Sequence, residues 1–140
     1  MKILYTEDVN KEIKDKVSEE FDKYEKERDI EFNYKKFAFV IKNDSGKIFG
    51  GLIGYTIHNE VYIDDLIVDE SLRGKGFGTM LLKEVENHFR GKEYDNINLV
   101  TNGFQAPEFY KKCGFELEFI RENKKNPKLH KYFFIKRFKD

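Results

Sequence analysis

Three glycines alternate at Gly74, Gly76 and Gly78, with Arg73 and Lys75 among them, just ahead of an apolar helical pattern at Leu81, Leu82, Val85 and Phe89. Glycine lowers helix propensity and adds backbone entropy that folding must remove, so the run calls for a reason. The first turn of a helix has unpaired N–H groups and a partial positive charge, which suit a phosphate or pyrophosphate. Gly76 and Gly78 would remove the Cβ atoms that hold such a group away, and Arg73 and Lys75 would add charge. Two commoner phosphate motifs are excluded by spacing. A P-loop ends in Gly-Lys-Ser/Thr, whereas Lys75 precedes Gly76. The dinucleotide fingerprint is G-x-G-x-x-G, whereas these glycines alternate strictly. The pattern left is Arg73-x-x-Gly76-x-Gly78, set between a strand and a helix.

The strand before it, Val61 to Val68, holds two adjacent acids, Asp64 and Asp65, in an otherwise apolar run. Strict alternation puts Tyr62, Asp64, Leu66 and Val68 on one face and Asp65 on the other. His58, His88 and His130 are scattered, and no His/Cys/Asp cluster has the spacing of a metal site, so no metal is expected. A single cysteine, Cys113, excludes an intramolecular disulfide and fits a reducing compartment.

Around these residues the elements follow from periodicity. Val9, Ile13, Val17, Phe21 and Tyr24 form one helical stripe, with Thr6 as the expected cap. Strands are expected at Phe37–Asn43, Ile48–His58 and Val61–Val68, joined closely enough to be an antiparallel meander. The glycine turn and its helix follow, then a strand at Asn96–Thr101 whose helical approach suggests parallel pairing. A short helix spans Pro107–Lys112 and ends at Gly114. Two strands, Phe115–Ile120 and Tyr132–Arg137, close the order αβββαβαββ, an α/β sheet of mixed pairing.

At 140 residues, 39% hydrophobic, the chain is expected to be one globular domain, residues 1–140. Its formal net charge is zero, which counts against a nucleic-acid coat. From Arg121 to Lys139 there are eight Lys or Arg and one acid, Glu122. That run reads as a solvated rim, or as the neighbour of an anionic ligand. No apolar run approaches ~20 residues and the first residues have no signal-type core, so a cytoplasmic protein with no membrane span is expected.

The segment "LIVDESLRGKGFG" resembles the acetyl-CoA turn of the GNAT N-acetyltransferase superfamily, whose R/Q-x-x-G-x-G/A motif is met by Arg73, Gly76 and Gly78. Downstream, "FQAPEFYKKCGFE" is similar to the family's second segment, with Ala106, Tyr110, Gly114 and Phe115 at the usual spacings. The tail "NPKLHKYFFIKR" resembles a bacterial subgroup of small members, mostly of unassigned substrate. The resemblance covers about Phe37 to Phe138. It implies a GNAT fold of the α/β (α+β) class, a mixed, mostly antiparallel sheet of six to seven strands flanked by helices.

It also implies roles. Acetyl-CoA would be the co-substrate, its pantetheine arm lying where the strand ending at Val68 splays from its neighbour. Leu66 would offer its N–H to the thioester oxygen, and Val68 would bond pantetheine through its backbone, with Ile67 between them. Arg73, Gly74, Lys75, Gly76, Phe77, Gly78 and Thr79 would hold the pyrophosphate. Asn102, Ala106, Phe109 and Lys112 would complete the cofactor site. Tyr110 would be the general acid. The candidate bases are Asp64 and Asp65, with Asp64 the first choice because alternation puts it on the face of Leu66, and proton loss through water is the other route. Two positions depart from the family: Tyr62 stands where some members carry a glutamate base, and Gly103 stands where many carry asparagine. The implied activity is acetyl transfer to a primary amine, on a small molecule or a peptide, by direct attack in a ternary complex. The alternative is a silent CoA-binding sensor or partner module. The aromatic last strand reads equally as internal core and as the face of a homodimer.

Overall fold

The computed structural model describes residues 1–139 and divides into two units, residues 1–33 and the remainder. In the first, helix α1 spans Lys11–Lys26. Asn10 caps it, its Oδ1 accepting from Ile13 N at 3.0 Å, in place of the expected Thr6. Thr6 instead accepts from Asp8 N at 3.0 Å and closes a local turn four residues earlier. Pairs one turn apart, Lys11–Asp15 at 2.6 Å and Lys16–Glu20 at 2.9 Å, line the polar side of the helix.

The second unit is a six-stranded sheet built from β1 (Lys35–Lys42), β2 (Ile48–Ile57), β3 (Glu60–Val68), β4 (Asn96–Asn102), β5 (Glu116–Arg121) and β6 (Lys131–Arg137). Its order is β1-β2-β3-β4-β6-β5. The Asp44–Lys47 turn reverses the chain as its sequence suggests: Gly46 takes φ +87°, and Asn43 Oδ1 accepts from the N–H groups of Ser45 and Lys47. β1, β2 and β3 are therefore an antiparallel meander. Helix α2 (Phe77–Phe89) carries the chain to β4, which pairs with β3 in parallel, as a helical crossover requires. Helix α3 (Pro107–Lys112) ends where Gly114 adopts φ +89°.

One face of the sheet is covered. Leu52, Val61, Ile97 and Phe134 meet Leu81, Leu82, Val85 and Phe89 of α2, and Tyr110 of α3 joins the same cluster. Phe134, Leu52, Ile97, Val61 and Val85 are essentially fully buried, each such side chain contributing roughly 1.5–3 kcal/mol. The covered face thus fixes α2, and with it the glycine turn, against the end of β3.

Candidate active site

The sheet splits where the chemistry was expected. β3 and β4 pair from Glu60–Asn96 to Ile63–Leu99 and no further. The cause is a β-bulge: Ile53 pairs with Asp65 but Gly54 pairs with Ile63, so Asp64 is the extra residue. A bulge bends its strand and increases the local twist. β3 goes on pairing with β2 as far as Val68, while β4 goes on pairing with β6 as far as Asn102. The two strands part as a V.

The bulge also corrects the expected alternation. Val61 and Ile63 face the covered core, and past the extra residue Leu66 and Val68 return to that same face. Tyr62 lies on the opposite face, stacked on Tyr55, and Asp64 and Asp65 are both exposed. Tyr62 and Asp64 therefore do not share a face with Leu66 and Val68, because one inserted residue reverses the period of two.

Backbone direction at the split follows from pairing. Asp69 N donates to Phe49 O at 2.7 Å, which makes Gly50–Val68 a non-hydrogen-bonded pair. The N–H and C=O of Val68 consequently turn away from β2, towards the gap that β4 leaves. Two residues earlier, opposite Leu52, Leu66 is turned the same way. Arg73 Nε uses this direction, donating to Val68 O at 2.9 Å and tying the turn to the end of β3.

A cavity of about 560 Å³ lies against this gap, lined by Leu66, Val68, Arg73, the turn, Ala106 and Phe109. Gly74 and Gly76 have φ of +77° and +86°, a region costly for other L-residues, and a Cβ on either would meet nothing within 4 Å. They are needed for the shape of the turn, and open space lies in front of them. Gly78 differs from expectation: a Cβ there would lie 3.1 Å from Phe109 Cζ, so this glycine lets α2 approach α3. α2 begins without a side-chain cap, and its first backbone bond is Met80 N to Gly76 O at 3.0 Å. The N–H groups of Phe77, Gly78 and Thr79 have no carbonyl one turn back to bond, and so they suit an anion.

Tyr110 is buried among Phe109, Phe115 and Phe134, with centroid distances of 5.1, 6.0 and 5.7 Å. Burial, with a smaller contribution from Cys113, raises the phenol above its ordinary value and keeps it protonated. Its hydroxyl makes no hydrogen bond among the described residues. Of the other expected residues, Gly74, Gly76, Phe77, Gly78, Thr79, Ala106 and Phe109 come together on the cavity wall. Ile67, Lys75, Asn102 and Lys112 lie outside it, and Tyr110 is not on its wall but packs in the core behind Phe109. Asn102 is occupied elsewhere: its N–H donates to Gln105 Oε1 at 2.9 Å and its Nδ2 to Leu129 O at 3.3 Å. His130 is likewise structural, its Nδ1 accepting from Asn123 N at 2.8 Å. Leu72 lines the cavity and was not anticipated; an apolar residue in a turn of charges and glycines was its signal.

A second cavity, about 370 Å³, opens at the crotch of the V on the other face. Tyr55, Tyr62, Asp64, Asn98, Val100 and Phe133 line it above the last pair, Ile63–Leu99. Apart from Asp64 and Tyr62, sequence reasoning missed it, because Tyr55, Asn98 and Phe133 meet only through strand pairing. The arrangement thus gives one split strand pair a cavity on each side, backbone donors in the gap and a protonated phenol nearby.

Residues 4–115 match the family model described as Acetyltransferase (GNAT) family. The chain belongs to the GNAT acetyltransferase family. It is 36% identical over 83 residues to a blasticidin-S acetyltransferase of Streptomyces morookaense, the match spanning 58% of this chain and 60% of that protein. The chain spans about that share of the length of each curated relative it matches. Among solved structures, an acetyltransferase from Bacillus cereus superposes with a TM-score of 0.81 at 32% identity, over 96% of this chain and 98% of that one. A GNAT family acetyltransferase from Elizabethkingia anophelis, with acetyl-CoA bound, shares the fold at a TM-score of 0.63 and 19% identity, over 94% of this chain and 85% of that one. The Bacillus cereus structure matches this GNAT chain over nearly its full length. Among the described residues no helix is long and apolar enough to cross a membrane.

Proposed function

We propose that this GNAT protein transfers an acetyl group from acetyl-CoA to a primary amine, the two approaching the split between β3 and β4 from opposite faces. The observation that carries this reading is the pair of cavities meeting at the V. The residues on the α2 side fit the cofactor. Gly74 and Gly76 leave open space, three helix N–H groups have no partner among the described residues, and Leu66 and Val68 turn their backbone groups into the gap.

Acetyl-CoA bound there supplies an acetyl thioester, so that one C–N bond forms as one C–S bond breaks, the nitrogen giving up a proton and the sulfur gaining one. Leu66 N–H serves as donor to the acyl oxygen, where negative charge grows during attack. Val68, Arg73 and the turn orient the pantetheine and pyrophosphate. Tyr110 holds the proton destined for the sulfur, since burial keeps its phenol protonated. Asp64, free of hydrogen bonds and ion pairs among the described residues, faces the second cavity and takes the proton of the incoming amine.

Calorimetric titration with acetyl-CoA, followed by CoA release with a panel of primary amines, tests the reading. Micromolar binding and amine-dependent release are expected. Tyr110→Phe should retain binding while its turnover falls by about 10²-fold or more. Failure of wild type to bind acetyl-CoA would refute the reading. Binding without turnover on any amine would favour a silent CoA-binding module.

A further inference from the structure

The second cavity also carries a statement about the acceptor, and this rests on the acetyltransferase reading. Its lining holds one charge, the carboxylate of Asp64, and no Lys or Arg. Tyr55 and Tyr62 stack with centroids 4.9 Å apart and planes 11° apart, and Tyr34 extends the row at 5.2 Å from Tyr55. The Tyr62 ring is held from its far end, its hydroxyl donating to Glu60, which also accepts from Asn96 Nδ2 at 3.0 Å. Asn98 Nδ2 donates to Asn96 Oδ1 at 2.7 Å, which leaves the Asn98 carbonyl oxygen as an acceptor at the cavity. Tyrosine faces, a carboxylate and an amide oxygen all attract a cation.

The opposite end has another character. Phe133 packs on Phe119 at 5.7 Å and carries the Arg121 guanidinium 5.2 Å from its centroid. This end suits an uncharged apolar body, whereas a second positive charge would meet Arg121. At the tyrosine end an anion would meet Asp64 and the neighbouring Glu60, with no lining cation to pair with it. Like charge brought into such a site is a means of rejecting the wrong ligand.

We propose that the acceptor is a small organic ammonium whose nitrogen bears its only charge, seated between the Tyr55–Tyr62 stack and Asp64 with its apolar body towards Phe133, and that amines carrying a carboxylate beside the nitrogen are excluded. The cavity volume falls within the range of small-molecule sites. An α-amino acid or a phosphorylated amino sugar does not satisfy this charge pattern.

Phenethylamine and phenylalanine differ by one carboxylate beside the same nitrogen, and so isolate the point. Binding of each is measured by calorimetry and saturation-transfer NMR without acetyl-CoA, on wild type, Asp64→Asn and Tyr55→Leu, with thermal melts confirming that the variants are folded. Phenethylamine should bind wild type at least tenfold more tightly than phenylalanine. Either substitution should weaken phenethylamine several-fold, and Asp64→Asn should narrow the preference. In CoA-release assays the same preference should appear in kcat/KM. Equal or tighter binding of phenylalanine, no binding of phenethylamine, or phenethylamine binding unchanged by both substitutions would overturn the proposal. Phenethylamine binding in a protein that fails to bind acetyl-CoA would leave this site standing and remove the transfer reading instead.

Discussion

Replacing Gly76 by alanine separates backbone strain from contact with the cofactor. Gly76 has φ +86°, so an alanine there costs about 1–2 kcal/mol for the left-handed backbone. A stiffer unfolded chain returns about 0.4–1 kcal/mol of that. The net loss is about 1 kcal/mol, or a melting temperature lower by roughly 2–4 °C for a domain of this size. Beyond its own chain neighbours, the added methyl meets no described protein atom within 4 Å, so an effect on acetyl-CoA beyond this strain must come from the ligand. Gly46 supplies the control. Its φ of +87° is nearly the same and its Cβ would likewise meet nothing within 4 Å, but it lies in the β1–β2 turn, outside the cavity. Both variants should therefore melt lower by a similar margin. Only Gly76→Ala should weaken acetyl-CoA, by about tenfold, equivalent to 1.4 kcal/mol. Thermal melts and calorimetric titration of the two variants side by side make the comparison. If Gly76→Ala bound acetyl-CoA as tightly as Gly46→Ala does, the turn would not be in contact with pyrophosphate.

Two further outcomes are expected of the fold. Burial of Glu86 would raise its carboxyl, but Lys136, donating to it at 2.9 Å, together with the charges of Arg90 and Lys83, outweighs burial and leaves it below its usual value. A lowered folded value means that the contribution is present above the ordinary glutamate range and is lost as the pH falls through the folded value. Glu86→Gln should therefore cost about 1–2 kcal/mol at neutral pH, and its melting curve should converge on that of wild type in acid; a gap independent of pH would contradict the assignment. Gly54→Ala would put a methyl 2.2 Å from Tyr62 O and 2.7 Å from Phe37 Cζ, between strands with little room to move. Overpacking of about 3 kcal/mol or more is expected there, and a melting temperature within 2 °C of wild type, roughly 0.5–1 kcal/mol, would show that the strands can part.

Much of the molecule was legible because its signals are local. The αβββαβαββ order follows from apolar periodicity, and Pro107 and Gly114 bracket α3 at the residues seen. The glycine turn was legible too, since Gly74 and Gly76 encode a backbone conformation that the sequence states directly. The purpose of Gly78 was not, because its reason is Phe109, thirty-one positions away. The bulge at Asp64 was also hidden. An extra residue appears only once the partner strand is known, and Ile53 and Gly54 give no local sign of it. The same limit concealed the aromatic cavity, whose walls come from three strands besides β3. The misplaced cap has another origin: Thr6 and Asn10 are both good capping residues, and only the backbone decides between them.

The extra residue in β3 has a consequence for how this protein can vary. On either side of Asp64 the strand runs on opposite phases, so Tyr62 belongs to one cavity and Leu66 and Val68 to the other. Substitutions before the bulge can retune the choice of amine while the stretch that receives the common donor keeps its sequence. Deleting one residue at Asp64 or Asp65 would do the reverse: the bulge would vanish, Val61, Ile63, Leu66 and Val68 would alternate regularly on the covered face, and β3 would lose the bend that parts it from β4. Point changes in this strand are thus a route to new acceptors, and a change of length by one is a route to losing both ligands at once.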